Sequence, residues 1–542
     1  MSSSTIRKPL LGSEPVTQGS VLIGLPHPQE RIAVGVLLRR RPDSPGLPSL
    51  EELCAEPFRA PLSHEELTRR HGADPADVKA VEAFAEAHGL DVVGHDLAHR
   101  LVHLAGPGAL VANAFGVQLI HVAHPRGLHR THLGRIHLPE NLLPIIKGVL
   151  GLDTRPAARP HVQVGGQPST PRLFTPPEVA ELYEFPDVTG EGQSIAVIEL
   201  GGGYWRQDLA DYVQRLGVPM PRITNVSVAG AGNQPVYPPG DAEAEVALDL
   251  EVVGSVAPGA DITVYFAANT NYAFLLALAQ AVHDSRRRHS VISISWAEAE
   301  AYWQPMVVEA MNEILWEAAV LGITICVASG DQGSSGENPP SDGWAHVKFP
   351  PSSPFALACG GTLLRADGRS IAAEVVWHEG AWSSGGGASD VFPVPPYQQQ
   401  TGIEIPSINP GSKSGRGVPD LAGNAAFESP YVIELGGQLT ATGGTSAVAP
   451  LMAALVARLN QKLGRRLGFL HPALYQIGRT AAAFRDIVQG NNATAPWVGG
   501  YVARPGWDAC TGWGSPNGRQ LLAALETLAE PPKSEGKKRR PT

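Results

Sequence analysis

The stretch Gly443-Gly444-Thr445-Ser446-Ala447-Val448-Ala449-Pro450 ends a strand-like segment and begins an apolar helix, with a serine at the junction. That junction constrains the fold more than any other feature of the chain. A serine placed there projects into a cleft, its small neighbours admit substrate, and the helix N-terminus favours developing negative charge.

A nucleophilic serine is usually activated by a histidine held by an aspartate, and Pro450 makes this segment similar to that of subtilisin-like proteases. The five histidines after residue 165 are His283, His289, His346, His378 and His471, and none lies in a small-residue, strand-to-helix context. Another base must take the proton. The segment 240–253 reads as one helix, on which Glu245 and Asp249 share a face one turn apart. Val246, Leu248, Leu250, Val252 and Val253 surround them and bury the helix. Two close, desolvated carboxyls do not both ionise easily, so they share a proton at acidic pH. Taken alone, this pattern also fits a solvated acidic face. A third segment, 323–336, is an apolar strand ending in Gly330-Asp331, and α/β proteins place active-site groups at such strand ends. On its own Asp331 also fits a turn or cap residue.

Together these segments resemble the sedolisin family of serine-carboxyl peptidases, in its kumamolisin-like form, over nearly the whole chain. The resemblance implies a subtilisin-like parallel-sheet α/β catalytic domain preceded by an α+β, ferredoxin-like pro-domain. It makes Ser446 the nucleophile, Glu245 the general base and acid, Asp249 the partner that orients Glu245, and Asp331 the oxyanion-hole acid. Asp331 is useful only when protonated, so activity is expected to fade above the carboxylate range. Glu199, near the end of the strand 194–200, and Trp296, after Ser293-Ile294-Ser295, extend the network behind the catalytic pair by the same resemblance. Ser384, Gly385 and Gly386 are expected along the substrate cleft, where bare glycines let a peptide approach. Lys348 stands where relatives carry an acidic pocket residue, so a basic substrate side chain is disfavoured and an acidic or apolar one favoured.

The resemblance also implies one structural Ca2+ near the C-terminus. Its ligands are the side chains of Asp486 and Asp508 and the carbonyls of Ile487, Arg504 and Gly506, a hard oxygen set suited to calcium. Turn chemistry is the alternative for this Gly/Pro/Asp cluster.

Residues 1–165 read as an inhibitory pro-domain, with a strand at 31–38, a helix opened by a capping-box pattern at Ser63 to Glu66, and another helix from Ala76 to His88. Residues 166–172 form an exposed activation linker, with cleavage expected within about 159–172 of a Pro/Gly-rich tract. The catalytic part spans 173–530, and the basic tail 531–542 is expected to be disordered. Residues 1–165 hold 13 of the 18 histidines and a net charge of +1, leaving −11 on the remainder. Acidification would therefore charge the pro-domain histidines while neutralising carboxylates opposite them, separating the two parts. Exposed histidines with no such role are the alternative.

A net charge of −10 with 17% charged residues argues against a nucleic-acid partner. The four cysteines lack metal or disulfide spacing, and Cys326 and Cys359 read as buried thiols. No apolar run is long enough to span a membrane. Met1 to Gly19 lacks the apolar core of a secretory signal, while the family resemblance implies an extracellular location. The expected partners are protein or peptide substrates and the chain's own pro-domain. The function expected is that of an acid-acting endopeptidase made as a zymogen, working through an acyl-enzyme. A tripeptidyl-peptidase-type exopeptidase of the same family is the first alternative. A non-catalytic, calcium-stabilised binding protein is the second, although it need not have kept all four of Ser446, Glu245, Asp249 and Asp331.

Overall fold

The computed structural model describes residues 6–16, 19–124, 127–164, 172–337, 342–403, 405–411, 413–479 and 482–529. From residue 194 onward, apolar strands alternate with helices and assemble into one large sheet. Six strands run parallel in the order Arg222–Ser227, Asp261–Phe266, Ser194–Glu199, Val291–Ile294, Thr324–Ala328, Leu357–Asp367. Ser370–Val376 closes that edge antiparallel, and Leu421–Asn424 also pairs in parallel with Leu357–Asp367. Helices cover both faces, so the inner strands are apolar on both sides. Ile195 and Val197 point into one core cluster, and Ala196 and Ile198 into the other.

The first strand of the sheet, Ser194–Glu199, lies in its interior, with later strands added on either side. Such a reversal of strand order opens a crevice beyond the carboxyl ends of the strands, where α/β proteins bind ligands. Glu199, Ser295 and Asp331 all sit at or just beyond those ends. Two sixteen-residue helices, Asp241–Val256 and Val448–Leu463, pack side by side beneath the crevice. Every residue from Glu243 to Val256 is buried, which removes the solvated-face reading of that helix. The second helix buries Leu451, Leu455 and Leu459, each worth roughly 1.5–3 kcal/mol relative to exposure. It stops at Gly464, whose φ of 62° suits a glycine cap.

The N-terminal part is an antiparallel four-stranded sheet in the order Asp91–Asp96, Leu101–Pro107, Arg31–Leu38, Ile146–Leu150. In chain order, helices lie between Arg31–Leu38 and Asp91–Asp96 and between Leu101–Pro107 and Ile146–Leu150, giving the ferredoxin-like strand-helix-strand-strand-helix-strand pattern. Pro75–Ala87 and Gly108–Phe115 bury Val81, Phe84, Val111 and Phe115 against it. The sheet also meets the helices Asn271–Val282 and Pro305–Val320 of the catalytic part, sharing one hydrophobic core with them. Gly35 makes that approach possible, because a Cβ there would overlap the Tyr272 ring.

Local expectations differ from the structure in detail. Ser63 accepts from Glu66 N at 3.1 Å, but the Glu66 carboxylate turns to Arg70 at 2.9 Å instead of closing the box. The reciprocal capping box forms at Ser49 and Glu52, opening the helix Leu50–Ala55. The helix expected from Ala76 to His88 spans Pro75–Ala87, capped by Asp74. All four cysteines are buried free thiols. Residues 166–171 of the expected linker and the whole tail 531–542 lie outside the described residues.

Candidate active site

Ser446 occupies a tight turn, Thr445–Ala447, that feeds directly into the helix Val448–Leu463. Gly444 makes the turn possible: its φ is 112°, and a Cβ there would collide with both the His161 carbonyl and Asp331 Oδ2. Glu245 and Asp249 project from the neighbouring buried helix, and Glu199 ends the strand Ser194–Glu199. The structure brings Ser446, Glu245, Asp249, Glu199 and Asp331 together, each 0% exposed.

Hydrogen bonds fix one oxygen of three of the four acids. Trp296 Nε1 donates to Glu199 Oε2 at 2.9 Å. Ser295 Oγ donates to Asp249 Oδ1 at 2.8 Å. The Thr445 amide and hydroxyl both donate to Asp331 Oδ1 at 2.8 Å. The opposite oxygens, Glu199 Oε1, Asp249 Oδ2 and Asp331 Oδ2, are buried without a partner, as are both Glu245 oxygens. Ionised carboxyls only accept, so contacts among Glu199, Asp249 and Glu245 become hydrogen bonds only when protons are added.

Burial pushes Glu199 and Glu245 well above the ordinary carboxylate range, and the charge of Asp249 adds to the rise of both. Burial likewise raises Asp249, while the donor Ser295 draws it back. The Ser446 hydroxyl is near enough to Glu245 to favour its ionised form. Neither group completes a hydrogen bond of normal geometry, however, so the two are adjacent and not engaged in this conformation. Asp331 is pushed up to about 7 by burial, against the Thr445 donors and the charge of Lys348.

An extended segment of the pro-domain side crosses this cluster. Arg159 and Pro160 pair antiparallel with Ala297 and Trp296, and Gln163 and Val164 with Gly443 and Thr442. Between the two pairings, the His161 carbonyl accepts from Ser446 N at 3.4 Å and lies beside Asp331 Oδ2. The His161 ring is buried with both nitrogens unpartnered. Burial and the nearby charges of Lys348 and Arg159 hold it well below its ordinary value, hence neutral.

Lys348 is buried in a short strand paired with Trp296–Ala299, and its stem packs against Gly330. Ser384, Gly385 and Gly386 are buried, as Ser446 and Asp331 are, and pack against the segment that carries Asp331. Gly385 N donates to Gly330 O, Ser329 Oγ to Gly385 O, and Ser384 Oγ to Cys510 O. Their missing side chains admit backbone 329–330 and 509 of the protein itself, since a Cβ on Gly385 or Gly386 would strike those carbonyls. Just upstream, Ser383 N binds Asp331 O at 2.8 Å, so this segment braces the acid.

Away from the cleft, Gly506 N donates to Asp486 Oδ2 and Arg504 N to Asp508 Oδ2, so both carboxylates converge on one turn. Burial raises Asp508 to about 6 despite its donors from Cys510, Thr511 and Arg504, a penalty that a bound cation would relieve. Ile487 is buried beside Asp486, while Arg504 is exposed. Two hard carboxylates on one turn are oxygen donors of the kind calcium takes. No cluster of three or more His, Cys, Asp or Glu side chains suited to a metal occurs among the described residues.

Sequence reasoning missed Ser295, Thr445 and His161 as members of this site. Thr445 and Ser295 stood inside the segments that were singled out, but their partners are distant in sequence. The position of His161 depends wholly on tertiary pairing and left no local signal.

A model described as "Pro-kumamolisin, activation domain" matches residues 18–155. Kumamolisin from Bacillus sp. (strain MN-32) is 46% identical over 512 residues, covering 92% of each chain. Tripeptidyl-peptidase sed5 from Aspergillus fumigatus is 28% identical over 583 residues, covering 96% of this chain and 98% of its own. The solved structure of Pseudomonas sedolisin, a serine-carboxyl proteinase complexed with pseudo-iodotyrostatin, superposes with a TM-score of 0.59 at 28% identity. It covers 66% of this chain and 99% of its own. With its activation domain, its parallel-sheet fold and a relative of 46% identity along nearly its whole length, the chain belongs to the sedolisin family of serine-carboxyl peptidases and is a pro-enzyme of that family.

Proposed function

We propose that the protein is an acid-acting endopeptidase that cuts peptide bonds through Ser446, Glu245 and Asp249, with protonated Asp331 in the oxyanion hole. The observation that carries this reading is the extended segment 159–164, drawn through the cluster with its His161 carbonyl between Ser446 N and Asp331. In the reaction, Ser446 Oγ attacks the carbonyl carbon and its proton passes to Glu245. The oxyanion takes hydrogen bonds from Ser446 N and from the proton on Asp331 Oδ2. Collapse breaks the C–N bond, Glu245 returns the proton to the leaving amine, and an acyl-Ser446 remains. Water then attacks the ester, giving its proton to Glu245 and releasing the acid as Ser446 regains its hydrogen. Asp249 keeps a proton available to Glu245 throughout.

Internal cleavage is favoured over removal of tripeptides because the chain is paired on both sides of His161 and enters through exposed Arg159. The buried Lys348 beside His161 supports a preference for acidic or apolar side chains over basic ones at that position. One Ca2+ held by Asp486, Asp508 and the carbonyls of Ile487, Arg504 and Gly506 would rigidify the C-terminal loops. An acid-poised site that is held shut near neutrality fits action outside the cell, and no helix among the described residues is long and apolar enough to cross a membrane.

The test is hydrolysis of an unstructured protein across about pH 3 to 8, where carboxylates and histidines titrate. Activity confined to acid and lost in Ser446→Ala is expected. A maximum near neutrality, or activity that survives that substitution, overturns the reading.

A further inference from the structure

Among the described residues, Ser295 is the neutral hydroxyl that touches the buried carboxyl row at Asp249. It follows the strand Val291–Ile294 at the carboxyl edge of the sheet and is 0% exposed. Its Oγ lies 2.8 Å from Asp249 Oδ1 and 3.4 Å from the Ser446 carbonyl oxygen. A hydroxyl has one proton to donate, and the shorter contact marks Asp249 as its resting acceptor. The longer contact sets the same side chain beside the backbone of the nucleophile.

The titratable groups facing Asp249 are Glu245, from its own helix, and Glu199, from the end of the strand Ser194–Glu199. Trp296 bonds to Glu199, and Ser446 and Asp331 act on Glu245. With Oδ1 occupied by a donor, a proton on Asp249 is left with Oδ2, the oxygen that has no other partner. Thr445 does the same for Asp331, where two donors on Oδ1 leave Oδ2 to carry the proton toward His161.

We propose that Ser295 is a positioning residue of the reaction. Its hydroxyl confines the proton of Asp249 to Oδ2, where it is shared with the neighbouring carboxyls. This rests on the reading of Ser446 as nucleophile and Glu245 as base. Without the hydroxyl, the proton distributes over both Asp249 oxygens and is delivered to Glu245 only part of the time. The carboxyl pair also loses a donor that favours its ionised form, so it takes up its second, inactivating proton at higher pH.

The measurement is the pH dependence of kcat/KM on an internally quenched peptide, for the mature form released from Ser295→Ala, Ser295→Thr and the parent. In Ser295→Ala the acid limb is expected to rise by about one pH unit and kcat to fall roughly tenfold, with KM little changed and the alkaline limb in place. Ser295→Thr, which keeps the hydroxyl, should restore the acid limb. If alanine prevents folding, Ser295→Cys keeps the volume with a weaker donor and should move the same limb the same way.

Infrared titration of the buried protonated carboxyls in Ser446→Ala, with and without Ser295→Ala, reads the same shift without turnover. An unmoved acid limb and an unmoved infrared midpoint overturn the proposal, as does a threonine variant as impaired as alanine. Failure of the underlying reading shows separately, as full activity in Ser446→Ala.

Discussion

Lys348 buries an ammonium whose charge depresses both Asp331 and His161, so under the proposed function one residue bears on substrate choice and on the oxyanion acid together. Lys348→Asp is expected to reverse the preference among matched peptides with Glu, Leu or Arg before the scissile bond, moving the Arg:Glu ratio of kcat/KM by roughly a hundredfold or more. The same substitution removes a cation that holds Asp331 down. Asp331 would then stay protonated to higher pH, and the alkaline limb should rise. A parent enzyme that already prefers Arg contradicts this account of the pocket.

At this scale the sequence displayed Ser446, Glu245, Asp249 and Asp331, because each stands in a local pattern that carries its own geometry. A helix spacing of four, a strand end and a Gly-Thr-Ser junction marked them as candidates, but each alone also fitted a structural role, and only their combination and the family resemblance assigned the chemistry. Ser295 and Thr445 could not be read that way, since a hydroxyl has meaning only through the oxygen it faces. For Ser384, Gly385 and Gly386 the bareness of the backbone was legible, but whether a substrate or the protein's own chain comes close was not.

Among the elements, the helix Asp241–Val256 holds four buried acids with different fates. Glu243 accepts from Gly240 N at 2.9 Å, and Glu251 from Glu434 N at 2.9 Å, while Glu245 and Asp249 turn to the active site. The apolar pattern foretold the helix and its burial, yet partners distant in sequence assign each acid its work. Burial raises Glu245, Asp249 and Glu251 above their unfolded values. Groups so raised contribute stability that is complete below the unfolded carboxylate range and is lost as pH climbs through the folded values.

The described loops carrying Asp486 and Asp508 have little regular structure, the two-residue strands Phe484–Arg485 and Ser515–Pro516 and two isolated bridges. A cation there should matter for stability more than for chemistry. Chelation is expected to lower the unfolding temperature, with calcium at a hundred times its dissociation constant adding about 2.7 kcal/mol. Differential scanning calorimetry with and without chelator checks this, and an unchanged transition removes calcium from the account.

Across the whole molecule, the pro-domain is held by buried charge as well as by apolar packing. Arg40 contacts Glu317 at 2.6 Å and Glu313 at 3.3 Å, and Arg100 reaches Glu313 at 2.5 Å. On the same interface the His99 and His283 rings lie 5.2 Å apart, and His103 meets the Tyr272 hydroxyl at 2.6 Å. Burial lowers His64, His71, His99 and His103, His99 to about 4. A docked histidine so depressed binds fewer protons than a free one. Docking is therefore strongest above the free value, about 6.5, and weakens as pH falls toward the docked one. Glu317 responds differently: Arg40, Arg100 and His283 hold it ionised against burial, so its ion pairs persist through the range in which the histidines charge. The excess of histidines in residues 1–165 hinted at such sensitivity, but which of them face the catalytic part emerges only from the docked fold.

The segment leading out of this interface threads the cleft, with Val162 following the carbonyl that sits at Ser446. The most direct measurement is therefore N-terminal sequencing of the first fragment formed when the full-length protein is brought from about pH 7 to about pH 4, across the range where these histidines charge. A new chain beginning at Val162, absent from Ser446→Ala, is the expected result. A first cut elsewhere, or one that persists without Ser446, would contradict the serine-carboxyl site and the path of the segment through it.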